Sequence, residues 1–325
     1  MRLLVTGGCG FIGSNFIRHL LIRYKDIRIV NLDKLTYCGN PENLSDVADD
    51  ARYSFVKGDI CDEKLVGDLV ADVDAVVNFA AETHVDRSIK YPDDFLMTNV
   101  YGVKVLLAAA KGSGLTRFVQ IGTDEVYGSV EEGFSKEEDP LKPKSPYSAT
   151  KAAGDLLALS YHATYGLPVI VARSSNNFGP YQYPEKVVPL FITNLMRGKK
   201  VPLYGDGGNV RDWLYVGDNC AAVDLILHSG RPGAIYNIGG GNCLTNLELT
   251  EKILSVTGKG GEFIEYVNDR PGHDRRYALD SSRVTRLGWA PEADFTSDLK
   301  ETVDWYRNNE DWWGPLKDKA EIIEW

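Results

Sequence analysis

The run Gly7-Gly8-Cys9-Gly10-Phe11-Ile12-Gly13 constrains this chain more than any other feature. It follows directly on the β-rich apolar stretch Arg2 to Thr6 and opens an amphipathic helical pattern from Ser14 to Arg23. Gly7, Gly10 and Gly13 at that spacing allow a tight turn, a close backbone approach to a pyrophosphate and close packing of helix on strand, with the anion at the helix N-terminus. A second strand, Ile27 to Asp33, ends on an acid twenty residues after Gly13. A carboxylate there can bond the adenosine ribose hydroxyls and repel a 2'-phosphate. Strand, loop, helix and acid in register predict a dinucleotide site that takes NAD rather than NADP. Neighbouring Lys34 points the other way. A glycine turn followed by an ordinary loop acid is the plain structural alternative.

The same alternation of short apolar runs and helical patterns continues through the first half, the signature of a parallel sheet covered by helices. Tyr53 to Gly58, Ala75 to Phe79, Phe118 to Gly122 and Leu167 to Ala172 read as strands. Phe95 to Lys111 keeps apolar residues near helical spacing. Ser145-Pro146 supplies an N-cap serine and a proline at the first helical position, so a helix is expected from there to about Tyr165. Beyond Ser174 the chain turns to Gly-, Pro- and Asn-rich segments, which suit a smaller lobe closing over a ligand. The expected fold is therefore α/β: a Rossmann-type doubly wound parallel sheet in residues 1–175, with a return of the chain around 210–240, and a smaller α/β substrate-binding lobe in 176–325. The acidic loop Glu131 to Asp139 reads as a solvated turn, and Trp305, Trp312 and Trp313 as packing.

Composition removes several function classes. With 325 residues, 43% hydrophobic and 25% charged, the chain is of globular type, and its net charge of -10 argues against a nucleic-acid partner, which needs a basic face. An anionic ligand must then be gripped by local cations. No apolar run approaches the roughly 20 residues that span a bilayer, and the first residues lack a signal-peptide core, so no membrane association and a cytoplasmic location are expected. The cysteines Cys9, Cys38, Cys61, Cys220 and Cys243 are scattered, which predicts neither a disulfide framework nor a metal site.

Chemistry enters with Tyr147-Ser148-Ala149-Thr150-Lys151, which puts a phenol and an ammonium on one helical face. A nearby cation favours the phenolate, so Tyr147 is expected to act as a base near neutrality, and Lys151 to bond a nicotinamide ribose as well. The pattern alone is weak. Here it lies one strand and loop after Ile121-Gly122-Thr123-Asp124-Glu125-Val126-Tyr127-Gly128, whose Thr123 hydroxyl can bond the same substrate oxygen. Two adjacent acids, Asp124 and Glu125, are more than a simple dehydrogenase needs. In a partly dry site neighbouring carboxylates do not both ionise easily, which lets one act as acid and the other as base.

Together these residues resemble the extended short-chain dehydrogenase/reductase family and, within its nucleotide-sugar branch, the dTDP-glucose 4,6-dehydratases. The likeness runs over nearly the whole chain, through GGCGFIGSNFIR, NFAAETHVDRSI, TDEVYG, SPYSATKAAGD, RSSNNFGPYQYPEK, LYGDGGNVRDW and DRPGHDRRYALD. It implies a reaction in three stages with a retained NAD: oxidation at sugar C4, loss of water across C5 and C6, and reduction at C6, giving a 4-keto-6-deoxy sugar. It implies Glu125 as the base at C5 and Asp124 as the acid for the departing 6-hydroxyl. On the cofactor side it assigns Phe11, Ile12, Lys34, Leu35, Thr36, Asp59, Ile60, Ala80, Ala81, Thr98 and Asn177 beside the glycines and Asp33. For the dTDP-glucose substrate it assigns Thr83, Thr123 and Asn176 to the sugar, Lys186, Val187, Pro202, Leu203 and Tyr204 to the phosphate and base pocket, and Arg211, Asn246, Arg270 and His273 to the phosphates and their surroundings. A homodimer through a four-helix interface, built on Phe95 to Lys111 and Pro146 to Tyr165, is also implied. Cys9 stands where the family usually has alanine.

Two other readings remain at the level of sequence. One is another nucleotide-sugar enzyme of the same fold, such as a UDP-glucose 4-epimerase or a dehydratase of a different nucleotide. The other is a non-catalytic NAD-binding regulator, against which the intact Thr123, Asp124, Glu125, Tyr147 and Lys151 speak.

Overall fold

The computed structural model describes residues 1–269 and 273–319. Its centre is a seven-stranded sheet formed by β1 (Arg2–Thr6), β2 (Arg28–Asp33), β3 (Tyr53–Lys57), β4 (Ala75–Asn78), β5 (Arg117–Thr123), β6 (Val169–Ser174) and β10 (Ile235–Ile238). The spatial order is β10-β6-β5-β4-β1-β2-β3, and every pair is parallel. The order reverses beside β1, where a doubly wound sheet opens a crevice at the carboxyl ends of its strands. Alternate residues sort onto the two faces, as a pleated strand requires. Leu3, Val5, Val77 and Val119 pack under the helices Phe11–Arg23 and Val216–Ser229. Leu4, Val76, Phe118 and Val169 pack under Glu63–Val70, Val103–Ala110 and Pro146–Tyr165.

The sequence patterns locate these elements closely, with informative differences. The first helix begins at Phe11, three residues earlier than its apolar pattern, because Gly10 sits extended and serves as N-cap. The pattern Phe95 to Lys111 is the core of a longer helical stretch that starts at Pro92 and carries a π-helical segment over Met97–Gly102. Such segments recur near functional sites, and here Asn99 lies within it and holds the chain after β4: its Oδ1 accepts from Glu82 N at 3.0 Å and its Nδ2 donates to Glu82 O and Thr150 Oγ1. Ser145 caps the helix Pro146–Tyr165 through a reciprocal pair with Ser148, and Gly166 ends it in a left-handed conformation.

The remaining strands are β7 (Asn176–Phe178), β8 (Val201–Tyr204), β9 (Val210–Tyr215), β11 (Asn242–Thr245) and β12 (Ile264–Val267). They form a three-stranded sheet β11-β9-β7 and a parallel pair β12-β8. With the helices Val187–Met196, Asn246–Thr257 and Phe295–Asn308 they surround a separate core of Phe178, Phe191, Trp213, Leu249, Leu299 and Tyr306. Between β9 and β11 the chain returns to the large sheet. Asp224 on Val216–Ser229 clasps the first helix there, bonded by His19 at 3.0 Å and by Tyr24 at 3.1 Å.

The acidic loop is largely exposed, as its composition predicts, but it is also pinned. Ser135 and Glu137 are buried, Ser135 O accepts from Asn237 Nδ2, and Glu137 accepts from Asn237 N and pairs with Arg283. The loop is fastened to the edge strand β10 by residues about a hundred positions away, which composition does not reveal. No helix among the described residues is long and apolar enough to cross a membrane.

Candidate active site

A cleft of about 310 Å³ runs along the carboxyl ends of the central strands. On one side it is lined by Gly7, Gly10, Phe11, Ile12, Gly13, Asp33, Lys34, Thr36, Asp59, Ile60, Ala80, Ala81, Thr98 and Asn177, and it continues past Tyr147 and Lys151 to Thr83, Thr123, Asp124, Glu125, Asn176 and Lys186. Of the sequence-derived cofactor positions only Leu35 lies off its wall. Leu35 has φ +60 and donates its N–H to Asp33 Oδ1 at 2.8 Å, so it shapes the turn after β2.

The glycine loop fits the dinucleotide it was read for. Gly7 has φ +69, and a Cβ there would stand 2.6 Å from Ala80 N. A Cβ on Gly13 would stand 2.4 Å from Gly7 O, so backbone would have to move in either case. Asp33 also accepts from Cys9 N at 2.9 Å, so one acid ties the loop to the strand end while keeping lone pairs for a ribose. Lys34, the residue that argued for a 2'-phosphate, is paired with Asp59 at 2.8 Å. That neutralisation favours NAD. The Cys9 thiol is buried beside Asn31 and fits without distortion of the loop. Further along, Ser175 Oγ, Asn176 Oδ1 and Asn177 Oδ1 are buried with no hydrogen-bond partner among the described residues. Buried polar groups are seldom left so, and these mark a wall built for a polar ligand.

The reacting end is held by β5 and the helix after it. Thr123 closes β5 and caps the short turn Asp124–Tyr127; its hydroxyl donates to Asp124 Oδ1 at 3.2 Å and accepts from Glu125 N at 3.3 Å. Asp124 is buried and its Oδ2 has no partner among the described residues. Burial, and then the adjacent Glu125 carboxylate, push Asp124 up to about 8, so it is an acid carrying a proton at neutrality. Tyr147 hydrogen-bonds Thr123 and packs edge-on against Phe95.

One sequence expectation needs correction. The phenol of Tyr147 is raised, not lowered: burial dominates, and the Glu125 carboxylate adds to it. The Lys151 Nζ donates to Ile121 O at 2.5 Å, and burial lowers its own pKa. Spacing placed the pair on one face; desolvation decides their protonation.

Behind them lies a buried ionic network. Arg173 Nε donates to Asp155 Oδ2 at 2.9 Å, and Arg173 Nη1 donates to Tyr127 OH, which donates to Asn237 Oδ1 at 2.8 Å. It ties the acid-bearing turn to the helix that carries Lys151. Outside the cleft wall Arg211 stacks on Tyr277 at 4.4 Å and donates to the carbonyls of Val210 and Asp274; its charge acts on Asp124. Val187 opens a helix beside Lys186, Pro202 to Tyr204 lie in β8 with Leu203 buried, Tyr204 faces the His273 ring edge-on, and Asn246 starts the helix after β11. These residues do not line the cleft itself, and Arg270 lies outside the described residues.

Residues 4–302 match the family described as GDP-mannose 4,6 dehydratase. A dTDP-glucose 4,6-dehydratase of Streptomyces niveus is 56% identical over 326 residues, 99% of this chain and 97% of that protein. The chain belongs to the dTDP-glucose 4,6-dehydratase family. Among solved dTDP-glucose 4,6-dehydratases, DesIV from Streptomyces venezuelae with NAD and TYD bound superposes with a TM-score of 0.95 at 51% identity, covering 97% of this chain and 100% of that one. The enzyme from Bacillus anthracis in complex with NAD gives 0.91, also at 51% identity, over 97% and 99%.

For this dTDP-glucose 4,6-dehydratase family member, the structure also brings to the site residues that the sequence did not assign to it, Trp312 among them, which its composition placed in packing. Cys38, Asn43, Glu82, Tyr181, Tyr183 and Trp312 all line the cleft. Tyr181 and Tyr183 belong to the stretch RSSNNFGPYQYPEK, whose pattern alone gives them no role. Asn43 and Trp312 carry no local signature, since they meet the site only through the tertiary fold.

Proposed function

We propose that this chain converts dTDP-glucose into dTDP-4-keto-6-deoxyglucose and water with a retained NAD. The observation that carries this reading is the pair of unlike acids: a buried, protonated Asp124 next to Glu125, on the turn that also presents Thr123 to Tyr147. NAD, when bound, supplies an acceptor for the hydride at C4 and a donor for C6. Tyr147, oriented by Thr123 and ionised once the ligands are bound, takes the proton of the C4 hydroxyl. The resulting ketone acidifies C5–H, and Glu125 removes that proton. Asp124 gives its proton to the departing 6-hydroxyl, so that water leaves. Glu125 returns its proton to C5, and the proton gathered at Tyr147 replaces, through solvent, the one Asp124 gave up. Gly7, Gly10, Gly13 and Asp33 would hold the dinucleotide and Lys151 its nicotinamide ribose. Lys186 on the cleft wall, together with Arg211, supplies cations for a diphosphate on a chain of net charge -10.

In this reading residues 1–175, completed by the return through 210–240, hold the cofactor, and the rest of 176–325 holds the nucleotide sugar. Purified protein given dTDP-glucose without added NAD is expected to produce the alkali-induced absorbance of a 4-keto-6-deoxy sugar. Its absence even with NAD added would overturn the assignment, and UDP-glucose in parallel reads the choice of base. A homodimer is supported by the exposed apolar side chains Tyr91, Leu96, Met97 and Tyr101 and, on the neighbouring helix, Leu156 and Tyr165. Sedimentation at micromolar concentration is expected to give twice the chain mass, and a monomer there would remove this part. A cytoplasmic site of action fits five free cysteines and is read by cell fractionation.

A further inference from the structure

We infer that the C-terminal helix Glu310–Lys319 is a latch that keeps NAD in place through the cycle, with Trp312 as its contact to the glycine loop. This rests on the dehydratase reading, in which the hydride removed at C4 must be returned to the same sugar. A cofactor that leaves in mid-cycle strands a 4-keto sugar that still bears its 6-hydroxyl. Retention is thus part of the chemistry.

The helix is anchored in the smaller lobe. Lys317 Nζ donates to Thr193 Oγ1 at 2.6 Å, Asp318 pairs with Arg197, and Trp313 Nε1 donates to Tyr306 O at 2.7 Å. From that footing it lays Trp312 and Leu316 against the cofactor cleft. Trp312 Nε1 donates to Asn43 Oδ1 at 2.9 Å. Asn43 is buried, and its Nδ2 donates in turn to Cys9 O, inside the glycine loop, at 2.9 Å. A single side chain therefore joins the last helix to the loop that is to receive the pyrophosphate.

A second contact reinforces the first. Tyr181, which lines the cleft, packs on Trp305 at 4.6 Å and edge-on to Trp312 at 5.6 Å, while the Arg18 guanidinium covers its ring at 4.0 Å. Arg18 belongs to the helix that follows the glycine loop and also donates to Asn43 O. Tyr181 has φ +67, a conformation that L side chains rarely adopt, and Asn15 Nδ2 fixes the residue before it by donating to Pro180 O at 3.0 Å. Backbone held in such a state persists only where its surroundings over-determine it, and here they belong to both lobes. For NAD to leave past this wall, the indole must part from Asn43 and the Tyr181 stack must open.

The test reads the cofactor rather than the reaction. Trp312→Phe keeps the ring and deletes the N–H; Trp312→Ala also removes the wall. Each full-length variant, checked for folding by circular dichroism and thermal midpoint, is passed through gel filtration. Its nucleotide is then released with acid and counted per chain, and exchange with labelled NAD is timed. Trp312→Phe is expected to release NAD about three- to tenfold faster, the worth of one net hydrogen bond, and Trp312→Ala to emerge largely stripped. If Trp312→Ala fails to fold, Trp312→Phe decides. Wild-type content and exchange rate in the folded variants would overturn the latch and leave the dehydratase reading intact. Wild-type protein that retains NAD but makes no 4-keto-6-deoxy sugar would overturn that reading, while faster release from the variants would still support the latch.

Discussion

Tyr147→Phe is expected to lower the rate of 4-keto-6-deoxy sugar formation by about 10²–10⁴-fold, the range that a positioned proton-transfer group contributes. The substitution removes one oxygen. Tyr147 is buried, its ring lies 6.3 Å from Phe95 at a steep angle, and the phenylalanine ring fills the same space. Packing is therefore preserved, and the loss is chemical. The first step needs a proton acceptor at the C4 hydroxyl, and Thr123 aims the phenol there. Burial and Glu125 hold that phenol protonated in the protein by itself. Its ionisation therefore depends on charge that arrives with the ligands, and the rate of C4 oxidation is expected to rise with pH in the parent enzyme and to lose that dependence in Tyr147→Phe. Product formation in a stopped assay, alongside a thermal midpoint to show an intact fold, checks both. A rate within threefold of the parent would move the proton acceptor elsewhere.

How much of this was legible in the sequence depends on the range of the interaction. The glycine loop, Asp33 and the Ser145-Pro146 helix start are local: each is fixed by backbone geometry within a few residues, and the structure places each where the pattern does. The all-parallel sheet was legible because buried strands read as continuous apolar runs. The smaller lobe was legible only as turns, since its helices and short strands depend on a core shared between distant segments such as Phe178, Trp213 and Tyr306. Protonation was legible for Asp124 and not for Tyr147. Two adjacent acids oppose each other wherever they are placed, but the burial that raises Tyr147, and the bond from Lys151 to Ile121 O on β5, come from the tertiary fold. Asn43 and Trp312 lie 269 positions apart, and nothing in either neighbourhood announces the other.

Asp124→Asn and Glu125→Gln are expected to divide the elimination between them. Each is expected to lower overall turnover by about 10²–10⁴-fold, as loss of an acid or a base does, but the stage that fails differs. Asp124→Asn still allows Glu125 to take the C5 proton, so the sugar recovered from deuterated water carries deuterium at C5 while retaining its 6-hydroxyl. Glu125→Gln abolishes that exchange. The acid role of Asp124 also fixes a pH limit. Its carboxyl is pushed up to about 8 by burial and by Glu125, so the proton it gives is present below that value and lost above it. Dehydration in the parent enzyme is expected to fall as pH rises through about 8, and the slow residual rate of Asp124→Asn is expected to lack that limb. Stability falls with rising pH as well, but over a lower window. A carboxyl whose folded pKa is raised favours folding at low pH and loses that contribution as pH rises towards the folded value, so the stability of Asp124→Asn relative to the parent should grow between the ordinary aspartate value of 3.8 and about 8 and then level. Thermal midpoints across that range read the balance directly. An active site that keeps a neutral carboxyl buried beside a second one sacrifices stability for function. Unchanged dehydration in both variants would remove the two acids from the mechanism.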